Sequence, residues 1–201
     1  MGAARPAVEV RPLHPEELTD AGQVAARALS TSPTSFWVSG DDPVARLRLS
    51  LDVFIEFVEV QAAPIGALLG KHVVGVCGMR APGECIGATT SDEMRVPPDT
   101  IGEPGDVSRG LYVWALLCNR DLDERHWHLG PVAVEPMLQG VGIGGRMLSA
   151  FGDQMDERGE VAWLETDKPE NVVFYRRAGF DVVEELTEHG LTNWWMRRDP
   201  R

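Results

Sequence analysis

The chain is short of cysteine, short of basic residues and free of any long apolar run, and each shortage removes a class of protein. Three cysteines, Cys77, Cys85 and Cys118, make no even framework for disulfides and no Cys-x-x-Cys pair of the kind that grips zinc. No metal is expected from this spacing, and Cys77, inside a Val/Gly-rich run, reads as a small core residue. Lys and Arg number 19 against 31 Asp and Glu, a formal charge of −12. Nucleic-acid binding depends on clustered cations, so no nucleic-acid partner is expected. The same charge can draw cationic small molecules or lysine-bearing substrates toward the protein, or serve only solubility. The most apolar stretch, Val53 to Met79, is interrupted by Glu56, Glu59, Lys71 and His72. It does not read as a membrane span, and the N-terminus shows no apolar signal core. The expectation is no membrane partner and a cytoplasmic, reducing compartment.

What is present suffices for one domain over residues 1–201, since 43% of the residues are hydrophobic. Val8 to Leu13 alternates as a strand, and Leu18, Ala21, Val24, Ala25 and Ala28 share one face of a helix. Ser30 to Gly40 reads as a loop holding Phe36 and Trp37. Asp42-Pro43 is a cap and first helical position for a second helix. Ile65–Leu69 and His72–Met79 form a hairpin around Gly70-Lys71. The Pro/Gly-rich stretch of about 81–106 is either a lid or a surface loop. Val107 to Cys118 is expected to be helical, with Leu111, Trp114, Ala115 and Cys118 on one side. His128 to Val134 is a strand, Gly140–Gly145 a glycine-rich turn, and Ile143, Met147, Phe151 and Met155 mark the helix after it. Val161 to Thr166 is a strand, and Pro169 to Ala178 a short helix that Gly179 ends. Two strands follow, near Phe180–Glu184 and Leu191–Arg197. Trp194 and Trp195 alternate on the last, so one faces the core and the other a pocket or partner.

Gly140, Gly142, Gly144 and Gly145 stand between a strand and a helix, where unhindered backbone N–H groups can converge on an anion at a positive helix end. A diphosphate suits that place, although a bare flexible turn would use the same residues. Gly140-x-Gly142-x-x-Gly145 matches the dinucleotide fingerprint, with Glu165 about twenty residues on. Against it, Glu135-Pro136-Met137-Leu138-Gln139 separates strand from glycines, and 36 residues after Glu165 are too few to extend a doubly wound sheet.

Gln139-x-x-Gly142-x-Gly144 after Leu129–Val134 resembles the cofactor motif of the GNAT superfamily of acyl-CoA-dependent N-acyltransferases. Leu164-Glu165-Thr166, Asn171, Phe174-Tyr175 and Gly179-Phe180 are similar to that family's next element, and in particular to its puromycin-acetyltransferase-like branch. The resemblance implies a mixed α/β (α+β) fold, with a largely antiparallel central sheet of six to seven strands flanked by helices. It implies acetyl-CoA as co-substrate and a primary amine of a small molecule or peptide as acceptor, in a monomer or homodimer. Val132, Ala133 and Val134 would pair with the pantetheine arm and polarise the thioester carbonyl. Gln139, Gly140, Val141, Gly142, Ile143, Gly144 and Gly145 would hold the diphosphate, and Asn171 the arm. Val141 departs from the pattern, standing where the family often has Arg or Lys.

Tyr175 matches the family's general acid, which protonates the departing thiolate. An amine near neutral pH must first lose a proton, and Glu135, His128, His126 and Glu165 all stand near strand ends as candidate bases. Phe36, Trp37, Asp41 and Asp42 offer an aromatic wall and negative charge to a cationic amine, or else a loop anchor and helix cap. A non-catalytic acyl-CoA sensor of the same fold is the alternative, and the presence of both Tyr175 and Asn171 speaks for the enzyme.

Overall fold

The computed structural model describes residues 7–201. Seven strands form one sheet in the order β1-β2-β3-β4-β5-β7-β6: β1 Val8–Pro12, β2 Ile65–Leu69, β3 His72–Arg80, β4 Trp127–Val134, β5 Ala162–Thr166, β6 Asp181–Glu188 and β7 Leu191–Arg198. Neighbours run antiparallel except β4 and β5, which are parallel. This is the mixed, largely antiparallel sheet that the motifs imply.

Helices cover both faces, which explains why β3 is buried over Val73–Met79 without polar alternation. On one face lies α6, Ile143–Arg158, whose Ile143, Met147, Phe151 and Met155 recur every fourth residue and pack with Leu148 on Ile65, Val74 and Leu164. α7, Pro169–Arg177, joins it through Val172 and Tyr175. The opposite face carries α1, Leu18–Leu29, with Ala21, Val24, Ala25 and Ala28 against Leu68, Val76 and Ala133. α3, Pro43–Glu59, lies against α1; a side chain at Gly22 would overlap the α3 backbone at Ile55, so the two helices approach this closely only over glycine. Trp195 is buried beside Trp163 on the α5 side, while Trp194 packs toward the α6 core, so the pair does straddle the sheet.

Two segments are more ordered than their composition suggests. The Ser/Thr/Pro stretch holds α2, Pro33–Ser39, because Ser32 accepts a hydrogen bond from the Ser35 amide at 3.1 Å and Pro33 starts the first turn. The Pro/Gly stretch after β3 contains a one-turn helix, α4 Ile86–Thr89, and a 3-10 turn at Asp92–Arg95. Arg95 fastens it by donating to the carbonyls of Gly87 and Cys118. α5, Val107–Cys118, is helical as expected but rotated: Tyr112, Ala115, Leu116 and Cys118 are buried, and Leu111 is exposed.

Phe151 has no exposed surface, so Phe151→Ala is expected to destabilise the fold by about 3–5 kcal/mol in chemical denaturation. Val183→Ala, on the exposed face of edge strand β6, should change it by less than about 0.5 kcal/mol.

Candidate active site

Strands β4 and β5 share a ladder only at Trp127–Ala162 and His128–Trp163. Both run on, β4 to Val134 and β5 to Thr166, without further pairing. The edge of β4 that faces this opening carries backbone groups that no strand among the described residues satisfies, an edge suited to an extended guest. A cavity of about 800 Å³ extends from it between β4, α6 and α7. Of the residues expected at the cofactor, Val132, Ala133, Val134, Gln139, Gly140, Gly142, Ile143, Gly144, Gly145 and Asn171 line it, whereas Val141 and Tyr175, also expected there, do not.

The glycine turn closes one end of the cavity. Gly140 and Gly142 take φ of +78° and +89°, which L side chains resist, and this left-handed backbone turns the chain directly into α6. Gly142 is the N-cap and has no side chain to occupy the first amides of the helix, so these stay available to a ligand. Gln139 is held by a 3.0 Å hydrogen bond from its amide to the Val134 carbonyl. Val141 is exposed, and Lys168 and Arg177 on the α7 side of the cavity bring the positive charge that it does not. Asn171 donates to Thr166 Oγ1 at 3.1 Å, fixing α7 to the end of β5.

Tyr175 sits one turn beyond Asn171 but faces inward, in van der Waals surroundings that include Phe174 and Phe180 at ring distances of 5.2 and 6.0 Å. Burial first, then the nearby Cys77, Glu165 and Asp167, push its phenol far above the usual tyrosine range, so it stays protonated.

The candidate bases separate into two groups. Glu135 is ion-paired with Arg27 of α1, away from the opening, and the sequence could not show a partner 108 residues distant. His128 and Glu165, in contrast, meet across β4 and β5, with Nε2 of His128 2.9 Å from Oε2 of Glu165. His128 is buried, whereas the Glu165 side chain keeps 24% of its surface exposed, so the carboxylate is the member an acceptor could reach. His126 binds Asp121 Oδ1 through Nε2 at 3.0 Å and the Glu124 carbonyl through Nδ1 at 2.8 Å. Burial opposes the charge on both imidazoles, yet the carboxylates prevail: Asp121 raises His126 to about 9, and Glu165 with Asp121 raises His128 to about 10. Asp121 was not legible as a site residue; the one local signal was His-x-His at alternating positions, which puts both rings on one side of the chain.

Phe36 and Asp42 take the structural roles left open for them: Phe36 stacks under the Arg46 guanidinium, and Asp42 caps α3 by accepting from the Val44 amide. Trp37 joins Tyr112 and His189 in an aromatic cluster on the α5 side. Asp167 accepts from the Thr34 amide at 2.8 Å and so ties α2 to the end of β5.

A strand pair that opens onto a glycine-lined helix terminus is the platform of an acyl-CoA-type acyltransferase. The model of the acetyltransferase (GNAT) family matches residues 32–180, and the chain belongs to that family. Solved structures agree on the fold. The mosquito arylalkylamine N-acetyltransferase-like 5b is similar with a TM-score of 0.65 at 18% identity, over 96% of this chain and 100% of that one. The histone acetyltransferase HPA2 and related acetyltransferase of Corynebacterium glutamicum gives 0.65 at 18%, over 96% and 97%. PaiA N-acetyltransferase of Thermoplasma acidophilum, solved with coenzyme A, gives 0.58 at 15%, over 96% and 99%.

Space at Gly145 is open within 4 Å, so Gly145→Asp should fold normally; a carboxylate in the first turn of a helix adds about 0.3–1 kcal/mol. If the turn holds a diphosphate as its motif implies, this charge would repel it, and coenzyme A affinity in calorimetric titration is expected to fall by about two orders of magnitude. Loss of fold with loss of binding, or unchanged affinity, would contradict this reading of the turn.

Proposed function

We propose that the protein moves the acetyl group of acetyl-CoA to a primary amine of a small molecule or peptide, by direct attack within one ternary complex. The observation that carries the reading is the unpaired edge of β4 leading to the free amides at the head of α6. The pantetheine arm lies along Val132–Val134, and its diphosphate rests on Gln139–Gly145. Backbone N–H groups of that strand polarise the thioester carbonyl and hold the oxyanion that forms on attack.

Glu165 takes a proton from the incoming ammonium group, with His128 behind it fixing the carboxylate. The free amine attacks the carbonyl carbon and the carbon–nitrogen bond forms; the cationic nitrogen of the adduct then gives its second proton to water as the carbon–sulfur bond breaks. Tyr175 gives its proton to the departing thiolate and is reprotonated from solvent, so that coenzyme A leaves as the thiol. Glu165 and Asp167 at the end of β5, on a chain of charge −12, favour a cationic acceptor. Neighbours named for arylalkylamine and histone acetylation support an amine acceptor. The likeness of the β5–α7 block to the puromycin-acetyltransferase-like branch belongs to the same proposal and assigns no drug.

Thiol release from acetyl-CoA, measured against a panel of amines, is expected to show turnover with cationic amines. In Tyr175→Phe, kcat should fall by about 10²–10⁴ while coenzyme A affinity is kept. A wild type that binds acetyl-CoA yet acetylates no amine in the panel would instead make the protein a non-catalytic acyl-CoA sensor.

A further inference from the structure

The insert between β3 and α5 delivers a thiol to the buried histidines. Cys85, the residue before α4, is buried, and its Sγ, one Asp121 carboxylate oxygen and a His126 ring nitrogen all lie within 4.8 Å of one another. The approach is built in: a side chain at Gly87 would overlap that of Asp121, so glycine lets α4 rest directly on the carboxylate. Arg95 then clamps the Gly87 carbonyl.

The second observation concerns His128. Its Nε2 is engaged by Glu165, while Nδ1, fully enclosed, points to the Asp121 side at 3.5 Å from Oδ1 and makes no hydrogen bond. His126 is held from outside as well, with Nδ1–H donating to the Glu124 carbonyl, while its Nε2–H donates to the same Oδ1 at 3.0 Å, a proton that a cation would displace. Outer partners that fix one ring nitrogen and leave the other as a lone pair are the usual support of metal-bound imidazole. The Cys85 sulfur, an Asp121 oxygen and a His126 nitrogen thus meet at one buried place, with the unbonded Nδ1 of His128 beside the same Asp121 oxygen, and a divalent cation can replace the protons these groups otherwise share. A tetrahedral centre with bonds near 2.0 Å spaces its nitrogen and oxygen donors about 3.3 Å apart. The distances of 3.0 and 3.5 Å from Asp121 bracket that spacing.

We propose that Cys85, Asp121 and His126 bind a zinc-class divalent cation, with Nδ1 of His128 closing the fourth position. With all four positions taken by protein, the site is structural. Through His128 Nε2 it also orients Glu165, which makes the cation a positioning device for the opening between β4 and β5. The ligands come from the insert, from the loop after α5 and from β4, so no local spacing motif records them.

The full-length protein, stripped with chelator and titrated with Co²⁺ without acetyl-CoA, tests this apart from any acetyl transfer. One equivalent should bind, with tetrahedral d–d absorption and a thiolate-to-cobalt charge-transfer band. The band should vanish in Cys85→Ser and persist in Cys118→Ser, and Asp121→Asn should weaken zinc in chelator competition at least about tenfold. The wild-type spectrum decides even where a variant fails to fold. No stoichiometric binding, or a cobalt spectrum without the thiolate band, overturns the proposal.

Discussion

Past His128 and Trp163, strands β4 and β5 stop sharing hydrogen bonds while both remain extended. A sheet interrupted at its centre would ordinarily be costly, because buried N–H and C=O groups without partners each forfeit a hydrogen bond. The edge of Val132–Val134 therefore has the character of an unfilled strand position, and the rest of the site is arranged around it. A short turn over residues 135–142 leads from that strand into α6, whose positive terminus lies at one end of the opening. α7 begins just after β5, so Asn171 flanks the same space from the other strand, with Tyr175 one turn on and buried in the core behind it.

Keeping two strands apart requires packing that holds each from outside. On the α6 side, Met147, Phe151 and Met155 are fully buried beneath the sheet. Trp163 and Trp195 with Tyr112 and Leu116 of α5 do the same for β5 and β7 on the opposite face. Asp167 ties α2 to the end of β5, and Arg27 ties α1 to Glu135 at the end of β4. The proposed cation site lies at the closed end of the opening, where β4 and β5 still pair, and would pin the point from which they diverge.

Much of this was legible in local chemistry. The glycines before α6 marked a turn between a strand and a helix, and Gly140 and Gly142 build it with positive φ. The four-residue spacing of Ile143, Met147, Phe151 and Met155 gave the buried face of α6 correctly, because one helix against one sheet face leaves little rotational choice. Ser30–Gly40 misled because Ser-Pro chemistry serves a helix start as readily as a loop. α5 was rotated because helices above and a sheet below compete for its apolar residues, and Tyr112 rather than Leu111 meets Trp163 and Trp195. Glu135 read as a base from its place at a strand end, yet its environment is set by Arg27. Cys85, Asp121 and His126 meet only in three dimensions, through a segment whose composition resembles a surface loop.

The account rests on amides of two segments sharing one ligand, and hydrogen–deuterium exchange resolved by residue measures that directly. Acetyl-CoA at saturating concentration should slow exchange together at Val132–Val134 and Gly142–Gly145, with little change at the β1 and β6 edges. Protection confined to one of the two segments, or none at either, would contradict it.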